Sequence, residues 1–173
     1  MTSVSFKRCK DSDLEALVKI AKETFVAAFE KDNDPNDFRD YIEKAFSKTA
    51  LEAELNNPGS LFYFVFDKEE LVGYFKLNLG AAQTEINDDS SVELERIYVV
   101  PGNQGKSIGH QMLQKVLALA KELNKACVWL GVWEHNPGAI RFYQRQGFKK
   151  FGEHPYFIGE DEQTDWLLRL ELQ

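Results

Sequence analysis

Residues 92–109, VELERIYVVPGNQGKSIG, decide the fold. Residues 92–100 are rich in Val, Ile and Tyr, which predicts a β-strand that is closed by Pro101 and Gly102. A glycine-containing loop follows, and from Ser107 onward apolar residues recur at steps of three and four, which predicts a long helix. Residues 126–132 then form a compact apolar run that is typical of a buried strand. A strand, a crossover helix and a second strand predict two parallel neighbours in an α/β layer.

The flanking regions complete this layer. The order along the chain is a strand, helices, three strands, a helix, a strand, a helix and two strands. We therefore expect one α/β domain over residues 1–173, with a mixed, mainly antiparallel sheet flanked by helices. The outer segments are a strand near 4–8, helices over 14–25, 38–46 and 50–55, strands over 61–66 and 71–79, a helix from 137, and strands over 148–157 and 164–170.

The net charge of the chain limits the classes of ligand that we expect it to bind. The chain carries 21 Lys and Arg residues against 28 Asp and Glu residues, so its formal net charge is −7. This balance disfavours non-specific nucleic-acid binding, which needs basic surface, and it suits a cationic or neutral substrate.

Two cysteines, Cys9 and Cys127, make neither a disulfide framework nor a metal quartet. The histidines also lack zinc-motif spacing, so we expect no metal. No apolar signal segment opens the chain, and the apolar run over 61–66 is far shorter than the ~20 residues that span a bilayer. These features predict a cytoplasmic protein with no membrane-embedded part.

The loop before the long helix is a candidate anion site. Its amides over residues 105–109 precede the positive end of the helix, and Lys106 adds charge. A plain strand-to-helix turn also uses glycine and remains an alternative. The Walker loop needs a Gly, four intervening residues, Gly-Lys and then Ser or Thr, and the dinucleotide fingerprint needs GxGxxG; neither is present.

Two motifs together resemble the GCN5-related N-acetyltransferase (GNAT) family. Residues 104–109, QGKSIG, are similar to the family's pyrophosphate-binding Gln/Arg-x-x-Gly-x-Gly/Ala segment. Residues 136–148 are similar to its second signature, in which an Asn is followed by Ala, Phe-Tyr and Gly-Phe. More narrowly, segments at 23–25, 45–46, 93–98, 129–134 and 159–165 resemble bacterial spermidine/spermine N-acetyltransferases.

The resemblance implies acetyl-coenzyme A (acetyl-CoA) as cosubstrate. Backbone groups of the strand that enters the loop would pair with the pantetheine arm, and the loop amides would hold the diphosphate. The side chains of that strand also pack a core, and Asn136 also suits a helix cap. The implied cofactor-binding residues are Ile97, Tyr98, Val99, Gln104, Gly105, Lys106, Ser107, Ile108, Gly109, His110, Asn136 and Tyr143.

Ser107 departs from the family pattern, which has Gly at that position. A positive φ there would cost a non-glycine residue roughly 1 kcal/mol. We expect instead that the backbone is already helical at Ser107, where serine fits and its hydroxyl can donate to a phosphate oxygen.

The resemblance also implies the catalytic groups. Tyr143 is the expected general acid, because a phenol with a pKa near ~10 stays protonated at neutral pH and can donate to a leaving thiolate. Glu93 is the expected base that removes a proton from the amine, and Glu95 is the second choice, since both carboxylates share one strand face. A structural pairing of these carboxylates with Arg96 is the alternative.

The expected reaction is direct transfer of acetyl to a primary amine, with a polyamine as first substrate. Two alternatives remain open, namely acetylation of a protein or peptide amine, and a non-catalytic CoA-binding regulatory module. The resemblance also makes a homodimer an expectation.

Overall fold

A computed structural model describes residues 3–173 and contains one mixed sheet. The strand order is β1-β2-β3-β4-β5-β7-β6, and only β4 and β5 are parallel. The predicted α/β class and the parallel crossover are therefore confirmed. The strands are β1 (Ser5–Arg8), β2 (Ser60–Asp67), β3 (Glu70–Leu79), β4 (Ser91–Val99), β5 (Cys127–Trp133), β6 (Lys149–Ile158) and β7 (Asp161–Glu171).

Helices cover both faces of the sheet. Helices α1 to α3 pack on one face with the aromatic residues of β2, and α4 and α5 pack on the other. Local sequence sets their starts, since Asp34 and Ser47 cap α2 and α3 by accepting bonds from backbone amides. The helices are α1 (Leu14–Phe29), α2 (Pro35–Ala45), α3 (Lys48–Asn56), α4 (Ile108–Glu122) and α5 (Pro137–Arg145).

The central strands are buried on both sides, which explains their continuous apolar runs. Along β2, Leu61 and Val65 join the core beneath α4, whereas Phe62 and Phe64 join the core beneath α1 to α3. Burial on two faces removes the polar alternation that a half-exposed strand would show.

A β-bulge interrupts β4. Arg96 pairs with Lys76 and Leu94 pairs with Leu77, so Glu95 is the extra residue of the bulge. Leu94 and Ile97 consequently both face the core beneath α4, although two residues separate them. The bulge thus turns Glu95 and Arg96 together toward the side covered by α1 to α3, where Arg96 lies over the Phe46 ring at 5.0 Å.

The parallel strands β4 and β5 separate after a short paired stretch. Their pairing ends at Glu93 and Trp129, yet β4 continues to Val99 and β5 continues alongside β7. The separation opens a cleft in the middle of the sheet, bordered by the second half of β4. Among the helices of residues 3–173, none is long and apolar enough to cross a membrane.

Candidate active site

A groove of about 700 Å³ lies where β4 leads into α4, between that loop and α5. Its walls combine strand, loop and helix-terminal residues, which is the environment that the sequence predicts for the cosubstrate. The lining residues are Ile97, Val99, Asn103, Gln104, Gly105, Ser107, Ile108, Gly109, His110, Gly138, Ala139, Phe142 and Tyr143.

The N-terminus of α4 presents free amides to this groove. The first intrahelical bond runs from the Gln111 amide to the Ser107 carbonyl at 3.2 Å, so the amides of residues 108–110 have no partner within the helix. A Cβ added at Gly105 or Gly109 would meet no atom within 4 Å, so the backbone there borders open space. Free amides and the helix dipole together fit an anion such as a diphosphate.

Ser107 does not have the helical backbone that we expected. Its φ of 62° and ψ of 16° lie in the left-handed region, and α4 begins one residue later. The expectation was wrong because Ser107 is the N-cap of α4 and precedes its helical residues, so the helix does not require a right-handed backbone there. Serine therefore carries strain at a position where the family has glycine.

The second half of β4 leaves backbone groups free along the cleft. The Val100 amide donates to the Val72 carbonyl at 2.8 Å, toward β3. Because successive residues of a strand point their backbone groups in opposite directions, those of Val99 and Ile97 point into the cleft. The Gln104 side-chain amide reaches the Val99 carbonyl at 3.4 Å, consistent with that direction.

Three of the predicted cofactor residues do not line this groove. The Lys106 ammonium donates to Asn103 at 3.2 Å. The Tyr98 side chain packs on the α1 side of the sheet, where it lines a neighbouring cavity. Asn136 lines the same cavity and caps α5 by accepting a bond from the Ala139 amide at 3.3 Å, the capping role considered for it from the sequence.

A second cavity, of about 230 Å³, opens on the α1 side of the cleft. It meets the groove at Ile97, Ala139 and Tyr143, which line both spaces. Aromatic rings dominate its walls, and its charged groups are Glu95, Arg96 and Asp165. The aromatic lining residues are Phe25, Phe29, Tyr41, Phe46, Tyr98, Trp133, Tyr143 and Tyr156.

Tyr143 stands at the junction of the two spaces. It belongs to α5, is 8% exposed, and its hydroxyl has no hydrogen-bond partner among residues 3–173. Burial raises the pKa of this phenol above its ordinary value, which keeps the proton on the oxygen at neutral pH. The hydroxyl is thus a protonated donor facing the cleft.

Glu95 lines the cavity within a network of charges. One carboxylate oxygen lies 2.9 Å from the Lys76 ammonium, and the other lies 3.1 Å from the Arg96 guanidinium. Glu54 pairs with both cations, and Asn78 donates to Glu95 at 2.7 Å. Burial alone would raise the pKa of Glu95, but the charges of Arg96 and Lys76 hold it below its ordinary value.

Glu93 lies deeper than Glu95 and does not line the cavity. It is 3% exposed, and its carboxylate accepts bonds from the Asn78 side chain and from the Thr84 amide and hydroxyl. Burial raises the pKa of Glu93 against the opposing effect of these bonds. Its visible role is to fasten the loop between β3 and β4 to the sheet.

Several cavity residues escape sequence reasoning. Tyr41 and Tyr156 come from α2 and β6, and their hydroxyls hydrogen-bond to each other across the cavity. Asp165 comes from β7, near the other end of the chain. No local spacing links these positions, whereas Ala139 lies one helical turn before Tyr143 on α5 and was within reach of a periodicity argument.

Comparison with known proteins identifies relatives along the whole chain. A sequence model of the acetyltransferase (GNAT) family matches residues 14–148. An uncharacterised N-acetyltransferase from the pepI 3′ region of Lactobacillus delbrueckii subsp. lactis is 39% identical over 172 residues, which is 99% of each chain. The spermine/spermidine N(1)-acetyltransferase of Bacillus subtilis is 34% identical over 116 residues, covering 65% of this chain and 74% of that protein.

A solved structure shares the fold. The PaiA N-acetyltransferase of Thermoplasma acidophilum, crystallised with coenzyme A, superposes with a TM-score of 0.78 at 22% identity, covering 98% of this chain and 99% of that one. The family match spans β4, the turn into α4 and Tyr143, the same elements that border the groove. The chain thus belongs to the GNAT family, and it is an acetyl-CoA-dependent N-acetyltransferase.

Proposed function

We propose that the protein acetylates a primary alkylamine by direct attack on acetyl-CoA, with a polyamine as the first candidate acceptor. The observation that carries this proposal is the junction of two spaces at Tyr143: a groove suited to an anionic cosubstrate, and a small cavity lined by the carboxylates of Glu95 and Asp165. The Bacillus subtilis relative, named for spermine and spermidine, supports the polyamine. The net charge of −7 also favours a cationic acceptor.

The groove residues fit the cosubstrate by their chemistry. The amides over 105–110 would hold the diphosphate, and the backbone groups of Ile97 and Val99 that point into the cleft would pair with the pantetheine arm. Acetyl-CoA supplies the acyl group as a thioester. The backbone amides along β4 are donors for the carbonyl oxygen as negative charge develops on it.

The reaction requires protonation of the leaving sulfur and deprotonation of the amine, and different residues meet these two requirements. Tyr143 donates its proton to the sulfur as the C–S bond breaks and the new C–N bond forms, for a gain of ~10²–10⁴ in rate. The acceptor must first lose a proton, since an alkylammonium with a pKa of ~10.4 costs roughly 4.6 kcal/mol to neutralise at pH 7.

Glu95 is the better placed of the two carboxylates to receive the amine proton, directly or through water. It lines the cavity, whereas Glu93 is bound behind it to Asn78 and Thr84. Its lowered pKa keeps it ionised and able to accept a bond from an ammonium. Glu93 was the first choice from the sequence. It would act by orienting Glu95 through the Asn78 side chain, which donates to the carboxylates of both Glu93 and Glu95.

A covalent route through a cysteine is disfavoured. Burial raises the pKa of the Cys9 thiol to about 12 and also raises the pKa of Cys127. Neither residue lines the groove or the cavity. A thiol that stays protonated and away from both spaces is a poor nucleophile for the acyl group.

A cavity of about 230 Å³ favours a small amine over a peptide. Gln163 of β7 donates to Asn33 at 2.7 Å, and Tyr41 bonds to Tyr156 of β6, so α2 and the segment before it are joined to β6 and β7 beside the cavity. A protein substrate would call for an open groove with main-chain contacts at this place.

A thiol-release assay over polyamines, amino acids and peptides tests the proposal. We expect turnover with polyamines, and we expect Tyr143→Phe to lower kcat by ~10²–10⁴ while CoA binding by calorimetry changes less than about twofold. Tyr63→Phe is the matched control, because Tyr63 lies on β2 and lines neither space. CoA binding with no thiol release from any amine would contradict the proposal and support a non-catalytic module.

A further inference from the structure

Asp165 is a second carboxylate of the acceptor cavity, supplied by β7. Its side chain is 16% exposed and lies over Gly131 of β5, where an added Cβ would approach its Oδ2 to 3.3 Å. Glycine at 131 therefore leaves room for the carboxylate on the cavity side of the sheet.

The charge of Asp165 is not neutralised by a lysine or arginine. Its one ion-pair partner within residues 3–173 is His154, whose Nε2 lies 3.6 Å away. The Nδ1 of the same ring lies 2.8 Å from Glu85. Asp165 and Glu85 therefore share the imidazole of His154. When both carboxylates are ionised, the three groups together still carry a net charge of −1 with the ring protonated. Burial raises the pKa of Asp165, as expected for an anion that lacks a full counter-charge.

Glu95 provides the contrast within the same cavity. Lys76 and Arg96 both pair with it, so its charge is already balanced. Among the described residues, Asp165 is thus the cavity carboxylate that no lysine or arginine balances, and a cationic ligand could supply that counter-charge.

Aromatic residues form a wall of the cavity that Asp165 and Tyr143 both line. Trp133 and Tyr98 belong to this wall, and Phe29 packs edge-on against both rings. Asp165 stands on β7, one strand beyond β5, and so is displaced by about 5 Å from the strand that borders the cleft. A hydrocarbon chain suits this wall, and a cationic group suits the carboxylate beyond it.

We propose that Asp165 binds the second, non-reacting ammonium of a diamine or polyamine, and so selects such acceptors over monoamines. The inference rests on the proposed function and adds the residue that determines specificity. The first nitrogen would lie at the Tyr143 end of the cavity, and the methylene spacer would lie along Trp133.

Two acceptors that differ by one ammonium test this role. We expect the wild-type protein to use 1,4-diaminobutane at least about tenfold better than n-butylamine in kcat/KM, from one charge-assisted contact. Asp165→Asn should reduce that preference to about threefold or less by weakening the diamine alone. Asp165→Glu should retain part of it, because the charge is kept.

Glu162→Gln is the matched control. It removes the same charge from β7, but Glu162 is exposed and points to the opposite face of the strand. Its preference for the diamine should remain that of the wild type. Unchanged turnover of n-butylamine and an unchanged melting temperature show that Asp165→Asn is folded.

The possible results distinguish failure of the role of Asp165 from failure of the proposed function. Equal losses on both acceptors in Asp165→Asn, an unaltered diamine preference, or the same shift in Glu162→Gln would overturn the role of Asp165 and leave the acetyltransferase proposal intact. Absence of thiol release with both amines in the wild-type protein would contradict the proposed function and the inference with it.

Discussion

At the scale of single residues, Ser107 holds a left-handed backbone conformation in an exposed turn. An L-residue there costs roughly 1–2 kcal/mol, and glycine avoids this cost but loses more entropy on folding. We expect Ser107→Gly to raise the free energy of unfolding by about 1 kcal/mol, measured by denaturant titration.

Ser107→Ala separates strain from the loss of the hydroxyl. Alanine keeps the Cβ and therefore the strain, and the Ser107 side chain makes no capping bond to α4. Its free energy of unfolding should stay within about 0.5 kcal/mol of the wild type. A gain in Ser107→Ala equal to that in Ser107→Gly would show that backbone strain is not the cause.

Glu95 makes the stability of the protein depend on pH. Glu95→Gln leaves Lys76 and Arg96 with Glu54 alone, and it should cost about 2 kcal/mol at pH 7. The folded pKa of Glu95 lies below its unfolded value of about 4.3, so the stability that it contributes is present above that pH and is lost as the pH falls through the folded pKa. The difference between wild type and variant should therefore shrink below about pH 4.3, as measured by urea unfolding at a series of pH values.

Glu93→Gln should show the opposite slope. The folded pKa of Glu93 is raised, so the wild type loses stability relative to this variant as the pH rises from about 4.3 through the folded pKa. Identical pH slopes for the two variants would contradict the different electrostatic environments of these neighbouring carboxylates.

At the scale of elements, β4 has a bulge at Glu95, and beyond Glu93 it pairs with β3 but no longer with β5. The bulge turns Glu95 and Arg96 toward the cavity on the α1 side, and the edge that faces away from β3 exposes the backbone of Ile97 and Val99 to the groove. One strand thereby borders both spaces, with side chains toward the cavity and backbone groups toward the groove.

Gly73 of β3 keeps β4 in this position. A Cβ at Gly73 would lie 2.7 Å from the Tyr98 carbonyl, which is backbone and must move as a unit. We expect Gly73→Ala to cost about 2 kcal/mol and to weaken CoA binding, because Tyr98 lies between Ile97 and Val99. Calorimetric titration with CoA and denaturant unfolding measure the two effects.

Gly152→Ala on β6 is the control for this substitution. The added Cβ would meet Leu167 at 3.5 Å, an ordinary contact, so stability should change by less than about 1 kcal/mol and CoA binding should not change. Equal CoA affinity for Gly73→Ala and wild type would mean that the position of β4 does not control the groove.

The sequence predicts most elements, because local periodicity reports them. The apolar spacing of α4 and the glycine-containing loop before it place the groove correctly. The bulge at Glu95 leaves no trace in the pattern, since a strand with one extra residue still reads as a strand. The second cavity combines residues of β4, β5 and α5 with residues of α1, α2, β6 and β7, so Tyr41 and Asp165 meet there through tertiary packing that no local rule describes.

At the scale of the whole molecule, the net charge of −7 acts on both substrates before either reaches its site. The field of an acidic protein repels an anionic cosubstrate and attracts a cationic amine at a distance. The amides at the start of α4 attract the anion only at close range, because the effect of a helix terminus fades within a turn.

Salt should therefore change the two association rates in opposite directions. Raising the ionic strength from about 0.01 M to 0.1 M shortens the screening length from about 30 Å to 10 Å, which removes most of the long-range field. We expect stopped-flow measurements to show faster association of CoA and a lower kcat/KM for 1,4-diaminobutane at the higher salt. Sucrose at equal osmolarity is the control for effects of the solute other than screening. Slower association of CoA at high salt would mean that the charges bordering the groove outweigh the field of the whole chain.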